Sequence, residues 1–456
     1  MNVIIAGCGK IGKSIIKSML KEEHNVTVID VDRNVVNSIT DTYDVLGIVG
    51  NCASYDVLKE AGVKGADLFI AVTNLDELNM LSCYVAKKIG AKHTVARTRD
   101  FEYNRKSFDF VKDQLELSMT INPELMTAQF IFNLLKLPSA TNVEMFSRNS
   151  FEVLELDVKE NSPLINVSLY ELRKKIPVDF IIFAVERNQE IIVPNGSFSL
   201  VEGDKIGIIS QITQSHKLLK LLGFEQKQVT DVVIVGASKT ARYLSSLLMK
   251  AKNPIKIIEQ DREKCEDIAS ALQNVPTVIC GDGTSHELLR ENKITDASAL
   301  VALTNSDEVN ILLSYYAKSK GVGKVITKVN NKELKEISQK LDVGSEISPK
   351  SIVASVLVRF ARGLEKVKGS KIEILHSLLG GKAEAVEFSV LDDFKYLNIP
   401  LKDLKFKQNV LIAGIVRDRT CIIPCGEDFI QAGDHVIVAT AGQSLYDLYD
   451  VIHSKQ

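Results

Sequence analysis

The chain contains no apolar run approaching the roughly 18 to 20 residues that a bilayer-spanning helix needs, which leaves only a peripheral role at a membrane. It also lacks a leader pattern. MNVIIAGCGKIG at the N-terminus is a short apolar strand running straight into glycines, without the basic region, long apolar stretch and small-residue cleavage site of a secretory signal, so a cytoplasmic location is expected. Neither sign of charge is in excess: 56 Lys and Arg against 58 Asp and Glu leave a formal −2 over 456 residues. Such a balance gives no footprint for nucleic acid or for stable docking on anionic lipid. Seven cysteines, scattered singly at 8, 52, 83, 265, 280, 421 and 425, do not compose a disulfide framework. Cys421 and Cys425 have no second pair or nearby histidine to complete a tetrahedral zinc set, and no metal is expected.

What the chain does contain, it contains twice. AGCGKIG at 6–12 recurs as VGASKTA at 235–241, and GNCAS at 50–54 recurs as GDGTS at 281–285. LFIAVTNLDELN at 68–79 recurs as ALVALTNSDEVN at 299–310. INPELMTA at 121–128 is echoed by ISPKSIVA at 347–354, and VEGD at 201–204 by QAGD at 431–434. A unit of about 230 residues has been duplicated.

Each unit opens with short apolar, β-branched runs alternating with helical patterns, the signature of a parallel sheet with crossover helices. In the first copy the strands are expected at 3–6, 26–30, 45–49, 68–72, 93–97 and 118–121. Strands apolar throughout, rather than alternating, are those buried on both faces. A long helix at about 124–137 ends at Pro138 and SATN, after which short strands (FEVLELDV, FIIFAVERN, EIIVP, KIGIIS) and a closing amphipathic helix predict a small α+β domain. The second copy follows the same order, with a helix at 351–368, a connector around KGSK and strands from 384 onward. The expected fold class is α/β, two Rossmann-like doubly wound parallel-sheet domains each followed by a small α+β domain. Their spans are 1–140, 141–225, 228–368 and 369–456.

Gly7, Gly9 and Gly12 form GxGxxG directly between the first strand and a helix, the context in which this motif carries weight. The first glycine permits a tight turn, the second lets backbone approach a pyrophosphate, and the third lets the helix pack closely. The helix N-terminus offers free N–H groups to phosphate. Asp30 closes the second strand 18 residues after Gly12, where a carboxylate accepts from both ribose hydroxyls and repels a 2′-phosphate, favouring NAD(H) or adenine nucleotides over NADP(H). Asn51, Thr73 and Asn74 lie at carboxyl ends of strands, where open α/β sheets place their ligands. Arg97, ending the fifth strand, either reaches phosphate from the same rim or is solvated, and Lys10 is placed to reach a phosphate across a dimer interface. Asn74 with Glu77, and Asn305 with Glu308, also read as capping-box pairs that make Asp76 and Glu77 helix-start residues. The candidate site thus comprises Gly7, Cys8, Gly9, Lys10, Ile11, Gly12, Asp30, Asn51, Cys52, Thr73, Asn74 and Arg97.

In the second copy Gly236 remains, but Ser238 and Ala241 replace the second and third glycines, and a Cβ at 238 would crowd a pyrophosphate. Glu259 keeps the place of the ribose acid and Asp282 stands where the first copy has Asn51, so the first copy is expected to be the principal site. Hydride transfer, as in an NAD-dependent oxidoreductase, would need a substrate domain supplying an acid or base over the nicotinamide. Only about 75 residues of small domain follow before the unit repeats. The seven histidines do not fill the gap: His24 and His93 lie near strand starts, His216, His376 and His453 in exposed-looking helices or connectors, and His286 and His435 in turns. No catalytic residue is expected.

With GCGKIG, VIDVD, LFIAVTNLDELN and its copy, ISPKS and AGDHVIV in place, the whole chain resembles the TrkA family, the peripheral subunits of bacterial Trk potassium uptake systems, built of tandem RCK (KTN) domains. The resemblance implies NAD(H) and ATP or ADP as ligands, carried onto Gly7, Gly9, Gly12, Asp30, Asn51, Thr73 and Arg97, with Asn51 standing where that family often has an acid. It further implies a homo-oligomer in which dimers form a ring. This ring would lie at the inner face of the plasma membrane beneath an integral subunit of the TrkH or TrkG type, associate with the membrane only through that partner, and gate potassium transport. A regulator of another cation channel or exchanger with the same RCK fold is the alternative.

Overall fold

The structure is a computed structural model describing residues 1–104, 108–146, 150–160, 162–224, 227–364 and 369–453. The domain ends expected at 225, 368 and 456 lie outside the described residues.

The first copy opens with β1 (Asn2–Ala6), α1 (Lys10–Lys21), β2 (Asn25–Asp30), α2 (Arg33–Thr40), β3 (Leu46–Val49) and α3 (Tyr55–Glu60). It continues with β4 (Leu68–Ala71), α4 (Asp76–Ile89), β5 (His93–Arg97), α5 (Phe108–Gln114), β6 (Met119–Ile121) and α6 (Pro123–Lys136). The six strands are parallel in the order β3-β2-β1-β4-β5-β6. That order reverses between β1 and β4, and a doubly wound sheet binds its ligands at this point, beyond the carboxyl ends of the strands. The all-apolar strands are buried on both faces: Ile4, Phe69 and Ala96, for example, pack with Met80, Cys83 and Ala86 of α4.

Next come β7 (Asn142–Met145), β8 (Phe151–Asp157), α7 (Leu169–Lys175), β9 (Phe180–Arg187), β10 (Glu190–Ile192), β11 (Lys205–Gln211) and α8 (Ser215–Leu221), with antiparallel strand order β10-β9-β11-β8-β7. β7 and α7 fall in stretches where no element was expected. β7 is four residues with one buried side chain, Val143, so it offers almost no periodic signal.

The second copy repeats the plan: β12 (Val232–Val235), α9 (Lys239–Lys250), β13 (Ile255–Glu259), α10 (Arg262–Ala271), β14 (Thr277–Cys280), α11 (His286–Glu291) and β15 (Ala299–Ala302). There follow α12 (Asp307–Ser319), β16 (Lys324–Lys328), α13 (Lys332–Lys340), β17 (Ser345–Ile347) and α14 (Pro349–Leu364), the parallel order being β14-β13-β12-β15-β16-β17. Its small sheet, β18 (Ser370–Leu378), β19 (Ala383–Val390), β20 (Val410–Arg417), β21 (Thr420–Ile422) and β22 (His435–Ala441), has the order β18-β19-β22-β20-β21, matching the first small sheet strand for strand. β18 begins inside the segment expected to be a connector. His376, expected to be exposed, is buried within it, its Nδ1 3.2 Å from Glu144 and its Nε2 2.9 Å from the Met145 carbonyl. His435 is likewise no turn residue: it starts β22, with Nδ1 2.8 Å from the fully buried Glu387.

Two compact units result. One comprises residues 1–129, 238–244 and 348–361, so the first parallel sheet carries helical segments from the second copy. There Tyr243 stacks on Phe101 with ring centroids 5.0 Å apart and takes a 3.0 Å hydrogen bond from Asn122. The other unit comprises 130–237, 245–347 and 362–456. In it the two small sheets share a core that includes Phe146, Phe151, Phe183, Leu378, Ala385 and Ile437. Each small sheet is pinned by the same buried carboxylate: Asp204 receives Arg187 through both oxygens at 2.8 and 2.7 Å, and Asp434 receives Arg417 at 2.9 and 2.7 Å. These are the aspartates of the repeated VEGD and QAGD turns. Among the described residues no helix is long and apolar enough to cross a membrane.

Candidate functional site

The chain leaves β1 through Gly7, whose φ of +97° belongs to glycine, and a Cβ there would stand 2.8 Å from the Thr73 nitrogen and the Val72 carbonyl carbon. Gly12 is needed for a different reason: its Cβ would fall 2.0 Å from the Gly7 carbonyl oxygen, so α1 packs against the loop only with hydrogen at this position. Gly9 has nothing within 4 Å of where its Cβ would be. The space over it is open, as backbone approach to a ligand requires. Gly9 is also the N-cap of α1 and supplies no side-chain cap. First-turn N–H groups of a helix that lacks such a cap are available to an anion.

Asp30 is held beneath this turn. Its Oδ2 accepts from the Cys8 amide at 2.7 Å and its Oδ1 from the Asp32 amide at 3.0 Å. A carboxylate has about four acceptor positions, so two remain for ribose hydroxyls. Cys8 contributes only its backbone: its thiol is buried against the Ile29 carbonyl, and burial, reinforced by the Asp30 charge, pushes it up to about 12. Cys52 is likewise buried, with its thiol pushed up by burial. Lys10 is exposed and Ile11 half-buried on the first turn of α1. Asn51, exposed after β3, turns its own loop by accepting from the Ala53 amide at 2.9 Å.

Beyond β4 the structure corrects the capping expectation. Asn74 and Asn305 are not caps; Leu75 and Ser306, one residue later, occupy the N-cap positions. The Thr73 hydroxyl explains the offset, because it accepts from the Leu75 amide and donates to Asn79 at 2.7 Å, bending the loop before the helix starts. Asn79, the last residue of LFIAVTNLDELN, is fully buried and was missed as a site residue. It accepts from the Thr73 amide at 2.8 Å and donates to the carbonyls of Thr73 and Arg97, tying together the loops that follow β4 and β5. Asn310 makes the same bonds to Thr304 and Lys328. The repeat of that asparagine in both copies was the available signal. Asp76 and Glu77 do start α4, and Asp76 also anchors the loop after β5 by accepting from the amides of Arg99 at 2.7 Å and Asp100 at 2.9 Å.

Arg97 is not solvated. It is buried, its nearest anion is Glu124 at 3.5 Å, and its Nε has no hydrogen-bond partner among the described residues. Burial pulls its guanidinium below the ordinary value against the opposing pull of Glu124. Arg99, also overlooked in the sequence, reaches back to the Asn74 carbonyl at 2.8 Å. Two guanidinium groups and the N-terminus of α1 therefore flank the carboxyl end of the first sheet.

The second copy keeps half of this. Gly236 has φ +104°, and Glu259 accepts from the Ala237 amide at 2.7 Å as Asp30 does from Cys8. Asp282 turns its loop through Thr284 as Asn51 does through Ala53. Ser238, however, uses its hydroxyl to accept from the Ala241 amide at 3.3 Å, so a first-turn donor that is uncapped in the first copy is already engaged here. Among the described residues no group of three or more His, Cys, Asp or Glu is arranged to hold a metal ion.

The TrkA-N domain family matches residues 3–112 and 232–349, and the TrkA-C domain family matches 153–223 and 385–453. A Trk system potassium uptake protein TrkA homolog of Archaeoglobus fulgidus is 33% identical over 439 residues, covering 96% of this chain and 97% of the relative. The Trk system potassium uptake protein TrkA of Halomonas elongata is 30% identical over 444 residues, covering 96% and 95%. Among solved structures, the GsuK RCK domain superposes with a TM-score of 0.64 at 16% identity, covering 96% of this chain and 92% of that one. The GsuK channel bound to NAD gives 0.64 at 16% identity, covering 96% and 76%. At that identity the likeness is one of fold.

Proposed function

Because the chain belongs to the family of Trk system potassium uptake proteins, with TrkA-N and TrkA-C domains in tandem, we propose that it is the cytoplasmic regulatory subunit of a Trk-type potassium transporter, binding NAD(H), ATP or ADP at the carboxyl end of its first parallel sheet. The observation that carries the reading is the Asp30 carboxylate fixed by the Cys8 and Asp32 amides directly below an uncapped α1 and an open Gly9. Ribose and pyrophosphate are the groups such an arrangement suits. The related GsuK channel has been captured with NAD and with ADP, which supports both ligand classes here.

No bond chemistry enters this role. A nucleotide shifts the subunit between conformations only by the difference in its affinity for them, and a tenfold preference is worth about 1.4 kcal/mol per site. The integral partner is a TrkH or TrkG type subunit, and membrane association runs through it. Copies of the chain associate with one another. In support, Leu81 on α4 and Leu312 on α12, at equivalent positions of the two repeats, are both more than half exposed.

Co-expression with the host's Trk membrane subunit, followed by co-purification without nucleotide and with ATP, ADP or NADH, tests the proposal. Complex formation that responds to nucleotide and is altered by Asp30→Ala is the expected result. No association under any condition would overturn it.

A further inference from the structure

On one edge of the second parallel sheet two sulfurs meet that have no counterpart in the first copy. Cys280 ends β14 and pairs in register with Glu259 across the parallel ladder. Cys265, in α10, donates its thiol to the carbonyl of that same Glu259 at 3.3 Å. Neighbouring strands are about 4.8 Å apart, so Cys280 stands beside the residue whose carbonyl the Cys265 thiol reaches, and the two cysteine side chains interact. The first copy has Val36 and Val49 at the equivalent positions, Val36 four residues after the cap Asp32 as Cys265 is after Asp261, and Val49 pairing with Asp30 in the same register. Cys280 is exposed, whereas Cys265 is buried. We propose that Cys265 and Cys280 are a redox pair that closes into a reversible disulfide when the exposed Cys280 meets a hydroperoxide.

The chemistry balances in two steps. The Cys280 sulfur attacks the peroxide, the O–O bond breaks, and a sulfenic acid forms as the distal oxygen leaves with the thiol proton, as water from hydrogen peroxide or as an alcohol from an organic hydroperoxide. The Cys265 sulfur then attacks the Cys280 sulfur, the S–O bond breaks, and the departing hydroxide leaves as water with the Cys265 proton; a thiol reductant reverses the bridge. Burial, and after it the bond to and charge of Cys280, push the Cys265 thiol up to about 12, so Cys265 is not the sulfur that meets the oxidant and reacts only once Cys280 presents an electrophilic sulfur beside it. The remaining cysteines of the parallel-sheet domains, Cys8, Cys52 and Cys83, are all buried and out of reach of a soluble oxidant.

Closure would remove the S–H donor from the Glu259 carbonyl, which also accepts from the Gly281 amide at 2.8 Å, and would tie α10 to the end of β14. Glu259 is the acid that holds the Ala237 amide. The bridge therefore alters nucleotide affinity in the second copy, a consequence that rests on extending the functional reading above from the first sheet to its repeat.

The full chain, reduced and then treated with hydrogen peroxide, is alkylated, digested and analysed by mass spectrometry. A peptide pair linked through Cys265 and Cys280, lost on dithiothreitol treatment, is expected. In Cys265→Ser, dimedone should trap Cys280 as the sulfenic acid. Oxidation of Cys280 in the unaltered chain that stops at the sulfenic or sulfinic acid with no linked pair overturns the proposal, as does survival of both thiols. ADP titration of an Asp30→Ala chain before and after oxidation reads the consequence separately, with a several-fold shift in Kd expected. A bridge that forms in a chain whose second copy binds no ADP in either state refutes the reading of that copy as a nucleotide site and leaves the redox pair standing.

Discussion

Asp30→Asn separates the carboxylate's role in the loop from its role toward a ligand. In the native chain each oxygen holds one backbone amide, Cys8 at 2.7 Å and Asp32 at 3.0 Å, and each keeps acceptor capacity for a ribose hydroxyl. Asparagine brings one oxygen and one NH2 group, so whichever way it turns, one amide faces a donor instead of an acceptor. Leaving that amide unsatisfied costs about 1–3 kcal/mol of stability, to be read as a lower urea midpoint at unchanged slope. On the ligand side, one charge-assisted bond to ribose is lost, about 1.5–3 kcal/mol, so the Kd for ADP and NADH in isothermal titration calorimetry should rise about ten- to a hundredfold. A variant that loses the expected stability but binds both nucleotides as tightly as before would show that Asp30 only turns the loop. No change in either quantity would refute the hydrogen-bond account altogether.

Gly12→Ala should weaken nucleotide binding and cost about 1–3 kcal/mol of stability, because its Cβ would meet the Gly7 oxygen at 2.0 Å and push α1 off the loop; calorimetry and urea melts check both, and native behaviour would show that the helix gives way freely. Asp204→Asn should cost about 2–3 kcal/mol, less than a fully buried pair because Arg187 retains some water contact, and Asp434→Asn should behave alike through Arg417. Unequal losses would deny the equivalence of the two small sheets. Lys324 gives a pH signature. Its amine reaches the carbonyls of Pro138 at 3.0 Å and Ala140 at 2.6 Å and the Ser345 hydroxyl at 2.9 Å, and burial pulls it down to about 7 from the ordinary 10.5. Below about 7 both folded and unfolded chains carry the proton and the full cost of the buried charge is felt; between about 7 and 10.5 only the unfolded chain carries it, so stability rises with pH. Thermal melts at neutral and mildly alkaline pH should show a gain in the native chain that shrinks in Lys324→Met, and equal gains would deny the neutral amine.

Much of this protein was legible in one dimension. β1 to β6 appear within about a residue or two of the expected spans, because strands buried on both faces must be apolar throughout and that pattern is local. The turn at Gly7 and the placing of Asp30 under it are also local, since a strand, a glycine loop and a helix dictate one another over a few residues. β18 was hidden because its alternation is broken by a bulge between Ile372 and Ile374. The repeat marked Asn79, but not what it and Asp76 hold, because the Arg97 carbonyl and the Arg99 and Asp100 amides lie 18 to 24 residues away, in a loop that only the sheet brings alongside. The same holds for the grouping of 348–361 with the first sheet, and for the meeting of Cys265 and Cys280 over one carbonyl. Side-chain pattern determines which face of an element must be covered and which turn can be made. Tertiary packing decides what covers that face, since any apolar surface of matching shape satisfies the same demand.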